Sequence, residues 1–141
     1  MRRILFLVVA LLCAATGRAQ AQGFTVVVNA ASPVSSVSKA ELSNVFLKKS
    51  VKWASGAPAV PVDLEKSSKT RDAFTKAVHG RPLAMINAYW QDKIFTGKDA
   101  PPAERSSDAD VLAFVRGNPN AVGYVAAGTE LGAGVKAVTV Q

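Results

Sequence analysis

The chain has 141 residues, with 17 Lys and Arg against 10 Asp and Glu for a formal charge of +7, one cysteine and one histidine. A lone cysteine excludes an intrachain disulfide framework and a cysteine-built zinc site. The length suits one domain able to bury an ordinary hydrophobic core, and leaves no room for a second of usual size.

Taken in chain order, residues 1–21 read as a secretory leader. Arg2 and Arg3 precede the apolar run Ile4 to Leu12, and Ala19-Gln20-Ala21 offers a small-x-small cleavage site. That run is about half the ~20 apolar residues needed to cross a bilayer, so no stable membrane insertion is expected. Cys13 follows Leu12 rather than a small residue, which disfavours a lipoprotein signal, and it leaves with the leader. The expectation is an exported protein, periplasmic or secreted, with residues 22–141 as a single domain. Loss of Arg2, Arg3 and Arg18 lowers the charge by three, and the remaining basic residues are scattered. Such scatter fits a solvated surface and excludes the continuous footprint that nucleic acid requires.

Phe24 to Val28 is an apolar, β-branched run that predicts a strand buried on both faces. Ser38-Lys39-Ala40-Glu41 is a capping-box pattern, with Leu42, Val45 and Phe46 on one face of a short helix ending near Lys48. Val51 to Trp53 and Val60 to Val62 are strand candidates on either side of the turn Ser55-Gly56-Ala57-Pro58. Ala73, Phe74, Ala77 and Val78 then form a helical stripe that stops at Gly80. Pro82 opens a further helix carrying Leu83, Ile86, Trp90 and Ile94, and both helices are expected to bury their apolar faces against a sheet.

Residues 96–105 read as loop, and Ser107-Asp108-Ala109-Asp110 opens a helix with Val111, Leu112 and Val115 facing inward. Val122 to Ala126 and Val135 to Val140 are the last strands. Strands alternating with helices predict an α/β three-layer sandwich, a mixed sheet flanked by helices.

Between the second strand candidate and its helix lies Asp63-Leu64-Glu65-Lys66-Ser67-Ser68-Lys69-Thr70-Arg71. A helix starting near Thr70 points free N–H groups and its positive dipole end at whatever precedes it, which suits a phosphate or sulfate. Hydroxyls of Ser67, Ser68 and Thr70 and the charges of Lys66, Lys69 and Arg71 could join them. Composition alone favours the plainer reading of the same serine as an N-cap, and Asp63, Glu65 and Asp72 offset the local positive charge. Both readings stay open.

Other constellations are thin. His79 ends a helix, where it meets the dipole or solvent, and it has no ligand cluster for a metal. Ser36-Val37-Ser38-Lys39 matches Ser-x-x-Lys, but no Gly-x-Ser-x-Gly elbow and no accompanying Ser-Asp-Asn or Lys-Thr-Gly motif exists, so it reads as a helix start. Trp53, Tyr89 and Trp90 read as core rather than as a stacking platform. Gly132-Ala133-Gly134 precedes a strand instead of following one, so no nucleotide cofactor is indicated. The chain is expected to be neither an enzyme nor a cofactor carrier.

Val45-Phe46-Leu47-Lys48-Lys49, Val51-Lys52-Trp53, Val60-Pro61-Val62-Asp63, then Ser68-Lys69-Thr70 with Phe74, and finally Asn118-Pro119-Asn120-Ala121-Val122-Gly123-Tyr124-Val125 form an ordered series. In order and spacing it resembles the phosphate-specific substrate-binding proteins of ABC transporters, over about residues 37–125. The resemblance implies a periplasmic-binding-protein-like α/β fold, here equivalent to a single lobe, and inorganic phosphate or a similar oxyanion held at the helix start by Ser67, Ser68, Lys69, Thr70 and Arg71. Ser68 and Thr70 match the family's serine and threonine; Lys69 replaces its glycine, and Leu64 stands where relatives often carry an arginine. It also implies an ABC permease or a second protein lobe as partner. The alternative is a single-lobe module that has lost phosphate binding and acts through protein contacts in the cell envelope.

Overall fold

The computed structural model describes residues 23–141; the leader expected over residues 1–21, with Cys13, lies outside the described residues. Six strands form one mixed sheet: β1 (Phe24–Asn29), β2 (Ser36–Val37), β3 (Val60–Leu64), β4 (Ala103–Arg105), β5 (Ala121–Ala126) and β6 (Val135–Val140). Their order across the sheet is β2-β6-β1-β5-β3-β4. β1 runs antiparallel to both β5 and β6, while β2 lies parallel to β6, and β3 parallel to both β5 and β4. The helices are α1 (Lys39–Phe46), α2 (Lys69–Phe74), α3 (Leu83–Phe95) and α4 (Asp108–Gly117), with the π-helical segment Thr75–His79 continuing α2.

The register assigns the helices to the two faces. Val26 pairs with Tyr124 and Val27 with Gly123, so alternation sends Gly123 to one side and Tyr124 to the other. A Cβ on Gly123 would stand 2.8 Å from side-chain atoms of Val62 and Val111, so α4 lies against that face and the glycine allows the close approach. On the opposite face Tyr124 stacks on Phe74 of α2, with ring centroids 3.9 Å apart, and Phe46 of α1 and Phe24 of β1 complete an aromatic cluster. The result is the expected three-layer α/β sandwich.

The capping signals act where they were read. Ser38 accepts from the Glu41 N–H, Ser68 from that of Arg71 and Ser107 from that of Asp110. The far end of α4 is closed from a distance: buried Asn29 donates from Nδ2 to the carbonyls of Val115 and Arg116 at 3.0 and 3.1 Å, ending the helix against the end of β1.

Four expectations need correction. Val51 to Trp53 is not a strand: only Lys52 forms an isolated bridge, to Pro58, because the N–H of Trp53 turns back to the Ala57 carbonyl and Gly56 takes φ +89° in a tight loop. Residues 96–105 are not all loop, since Ala103–Arg105 pairs with β3, and Ser36–Val37 forms a further short strand that composition did not announce. The first helix ends at Phe46 rather than near Lys48, which takes φ +53°. Finally, α3 does not lie on the sheet. Ile86 and Trp90 pack with Leu47 in a separate small cluster, and Ile94 is exposed, because α1, α2 and the π-segment already occupy that face and α3 packs outside them.

Candidate functional site

The C-terminal end of β3 delivers the chain into a turn, Glu65 to Ser68, and then into α2. In the turn the Ser68 N–H bonds the Glu65 carbonyl at 3.0 Å, and the Ser67 hydroxyl donates to the Glu65 carboxylate at 3.1 Å. Ser68 caps the helix by accepting from the Arg71 N–H at 3.1 Å, and its carbonyl accepts from Asp72. These bonds leave the backbone N–H groups of Lys69 and Thr70 without an acceptor among the described residues, as the first turn of a helix must. Lys66, Ser67 and Lys69 are exposed, Ser68 and Thr70 half-buried. Lys69 has no left-handed backbone angle, so its place in the turn needs no glycine.

Arg71 behaves differently from its neighbours. It is only 2% exposed, and its guanidinium folds back over the end of β3 instead of facing the turn. Nη1 donates to the Leu64 carbonyl at 2.8 Å and to Glu104 Oε1 at 2.9 Å, while Nε lies 3.7 Å from Asp63 Oδ1. The sheet explains the arrangement. Parallel pairing sets Asp63 beside Glu104 in register, so two carboxylates stand side by side at the sheet end, and Arg71 bridges them. Tyr124, across from Asp63 on the neighbouring strand, donates its hydroxyl to Asp63 Oδ1 at 2.5 Å and accepts from the Leu64 N–H at 3.3 Å.

The electrostatics follow from this burial. Desolvation pushes the Asp63 carboxyl up from its usual range, against the opposing pull of Arg71 and the Tyr124 hydroxyl. Burial also works against the charge on Arg71, but Asp63 and Glu104 outweigh it and raise its pKa. Tyr124 is pushed upward by burial and by the Asp63 charge, so its hydroxyl stays protonated and acts as a fixed donor. No fully buried side-chain nitrogen or oxygen atom among the described residues lacks a partner, as a low-dielectric cluster of this kind requires.

Beside Arg71 a cleft of about 70 Å³ opens between the β3–α2 turn, α3 and the approach to β4. Lys66, Asn87, Gln91 and Glu104 line it with Arg71, and Trp90 forms an apolar wall. Asn87, Gln91 and Glu104 gave no signal in the sequence, because they converge on Arg71 only when α3 and β4 fold beside β3. In the sequence Asp63 is legible as an opposing charge and as the end of the Val60-Pro61-Val62-Asp63 segment, not as a partner of Arg71. Its strand position next to a loop rich in hydroxyls was the available hint.

The remaining sequence candidates are placed elsewhere. Ser36 lies in β2 and Lys39 opens α1, both exposed, so this tetrapeptide is a strand end and a helix start. His79 meets neither solvent nor a helix dipole alone: its Nδ1 and Ser43 Oγ form a hydrogen bond of 2.7 Å, and its ring packs edge-on against Phe74. Burial, with Arg71, Arg81 and Lys49 adding to it, lowers its pKa to about 4. Trp53 and Trp90 are buried and Tyr89 half-buried, its hydroxyl donating to the Leu47 carbonyl. No group of three or more His, Cys, Asp or Glu among the described residues could hold a metal ion, and no helix among them is long and apolar enough to cross a membrane.

The chain matches no protein-family model and no curated protein. Solved structures do share its fold. One, assigned as a phosphate ABC transporter substrate-binding protein with bound phosphate, from Clostridium perfringens, is 24% identical with a TM-score of 0.64 over 84% of this chain and 44% of that one. Another, an ABC-type phosphate transport receptor from Vibrio cholerae, is 22% identical with a TM-score of 0.65 over 84% of this chain and 46% of that one. The chain thus spans under half the length of these structures. At this identity the likeness is one of architecture: the chain has the mixed-sheet α/β fold found in these solved structures.

Proposed function

We propose that this protein is an exported, non-enzymatic solute-binding protein that takes phosphate or a similar oxyanion at the start of α2, in the manner of proteins serving phosphate ABC transport. The observation that carries the reading is the helix start itself: the N–H groups of Lys69 and Thr70 have no internal acceptor, Ser68 keeps its hydroxyl hydrogen while capping, and Lys66 and Lys69 stand exposed beside them. Likeness in fold to a structure holding phosphate supports it. Ser67, Ser68, Lys69 and Thr70 supply the donors and charge. Arg71, expected with them from the sequence, lies behind this set with its guanidinium held and its charge offset by Asp63 and Glu104.

Because the chain spans under half of its structural neighbours, the reading includes a second protein body, a permease or a separate lobe, that covers the bound anion. Isothermal titration of the chain lacking residues 1–21 with phosphate, against sulfate and chloride at matched ionic strength, tests it. Phosphate-dependent heat, weakened in Ser68→Ala and in Thr70→Ala, is expected. No heat with either oxyanion would overturn the reading.

A further inference from the structure

We propose that the cleft beside Arg71 is the seat of a small tetrahedral oxyanion and that Glu104 is a built-in competitor for it. The inference rests on the oxyanion reading above, and adds residues of α3 and a regulating carboxylate that the helix start does not contain.

The donor accounting of Arg71 is the starting point. Nη1 is used by Leu64 and Glu104, and Nε faces Asp63, but Nη2 hydrogen-bonds no described residue although Arg71 lines the cleft. Around it stand donors of the right kind. Lys66 is at the rim, and Asn87 and Gln91, four residues apart on α3, bring two side-chain amides to the same face. A space of about 70 Å³ corresponds to about two waters at their share of liquid volume, so it suits one small ion rather than a larger organic ligand. Trp90 closes the inner side.

Glu104 is the group in the way. Its carboxylate sits on Arg71 at 2.9 Å as a ligand oxygen would, and with it in place Lys66 and Arg71 are balanced by Glu104 and Asp63. Unlike Asp63, Glu104 is free to leave. Its side chain is 36% exposed and belongs to a three-residue strand at the sheet edge, whereas Asp63 is buried and held by Tyr124. Withdrawal of Glu104 into solvent turns the cleft net positive and frees a second guanidinium nitrogen for two-point contact with an oxyanion. Binding is therefore weakened by the carboxylate that holds the empty site together, which favours release over retention.

Isothermal titration with phosphate and with sulfate, on wild type, Glu104→Ala, Glu104→Gln and the pair Asn87→Ala with Gln91→Ala, decides the matter, with thermal unfolding of each variant to establish folding. Removing the half-exposed competing carboxylate and its repulsion should raise oxyanion affinity about three- to tenfold in Glu104→Ala, and less in Glu104→Gln. The Asn87 and Gln91 pair should lower it while leaving the fold intact. Unchanged affinity in folded Glu104→Ala, or in the folded α3 pair, overturns it. If Ser68→Ala and Thr70→Ala abolish binding while those variants behave as wild type, the helix-start reading stands and the cleft does not. If neither wild type nor Glu104→Ala binds phosphate or sulfate, both fall.

Discussion

The two faces of the sheet are built on opposite principles. Toward α4 the contacts around Gly123 are aliphatic, Val27, Val62, Val111 and Val115, with the buried polar contact of Asn29 confined to the end of the helix. Toward α1 and α2 a stack of Phe24, Phe46, Phe74 and Tyr124 ends in a chain of polar groups, buried Tyr124, Asp63 and Arg71 and then exposed Glu104. The aliphatic face contributes through area and close packing, whereas the polar face carries a desolvation cost that its own bonds must offset. A protein that needed only stability would gain little from the second arrangement. Its position, at the sheet end where α2 begins, associates that cost with the candidate site.

The largest expected effect breaks the polar face. Arg71→Met leaves Asp63 and Glu104 side by side without a counter-charge and should lower unfolding free energy by about 3–5 kcal/mol in urea titration. Adding Asp63→Leu should recover much of the loss; if the double variant is no better than the single, the ion pair matters for stability in its own right.

Acid comes next. Since His79 has a folded pKa of about 4, below its unfolded 6.5, the unfolded state binds the extra proton between those values. Its stabilising contribution is complete above pH 6.5 and falls as pH drops from there toward 4, by about 2–3 kcal/mol once its partial exposure is allowed for. Urea midpoints across that window, compared with His79→Gln, should show the fall in stability toward acid become shallower in the variant.

On the aliphatic face the matching test is steric. Gly123→Ala puts a methyl 2.8 Å from both Val62 and Val111, and should cost about 1–3 kcal/mol in thermal unfolding. A neutral result would mean that α4 shifts easily and that this face is looser than its contacts suggest. Smallest of all, Ser68→Ala removes the α2 cap and should cost about 1 kcal/mol. If it lowers phosphate affinity far more than it lowers stability, Ser68 serves the ligand as well as the helix.

Much of this architecture is written locally. Ser38, Ser68 and Ser107 start helices because a side-chain oxygen three positions before an unbonded N–H needs nothing from the rest of the chain, and Phe24 to Val28 is apolar enough to be central in any sheet. The short edge strands were not legible, because two or three residues carry no period and Ala103–Arg105 becomes a strand only through the bonds β3 offers it. Nor was the fate of α3, whose apolar stripe specifies that something is covered but not what covers it.

For the site the division is sharper. The sequence by itself determined that a hydroxyl-rich, basic turn leads into a capped helix, which is local chemistry. Only the tertiary structure decided that Arg71 faces inward, that Asp63 and Glu104 share it, and that Asn87 and Gln91 stand opposite. Charges far apart in the chain meet through strand register and helix docking, and the field at a buried site depends on that meeting rather than on any neighbour in sequence.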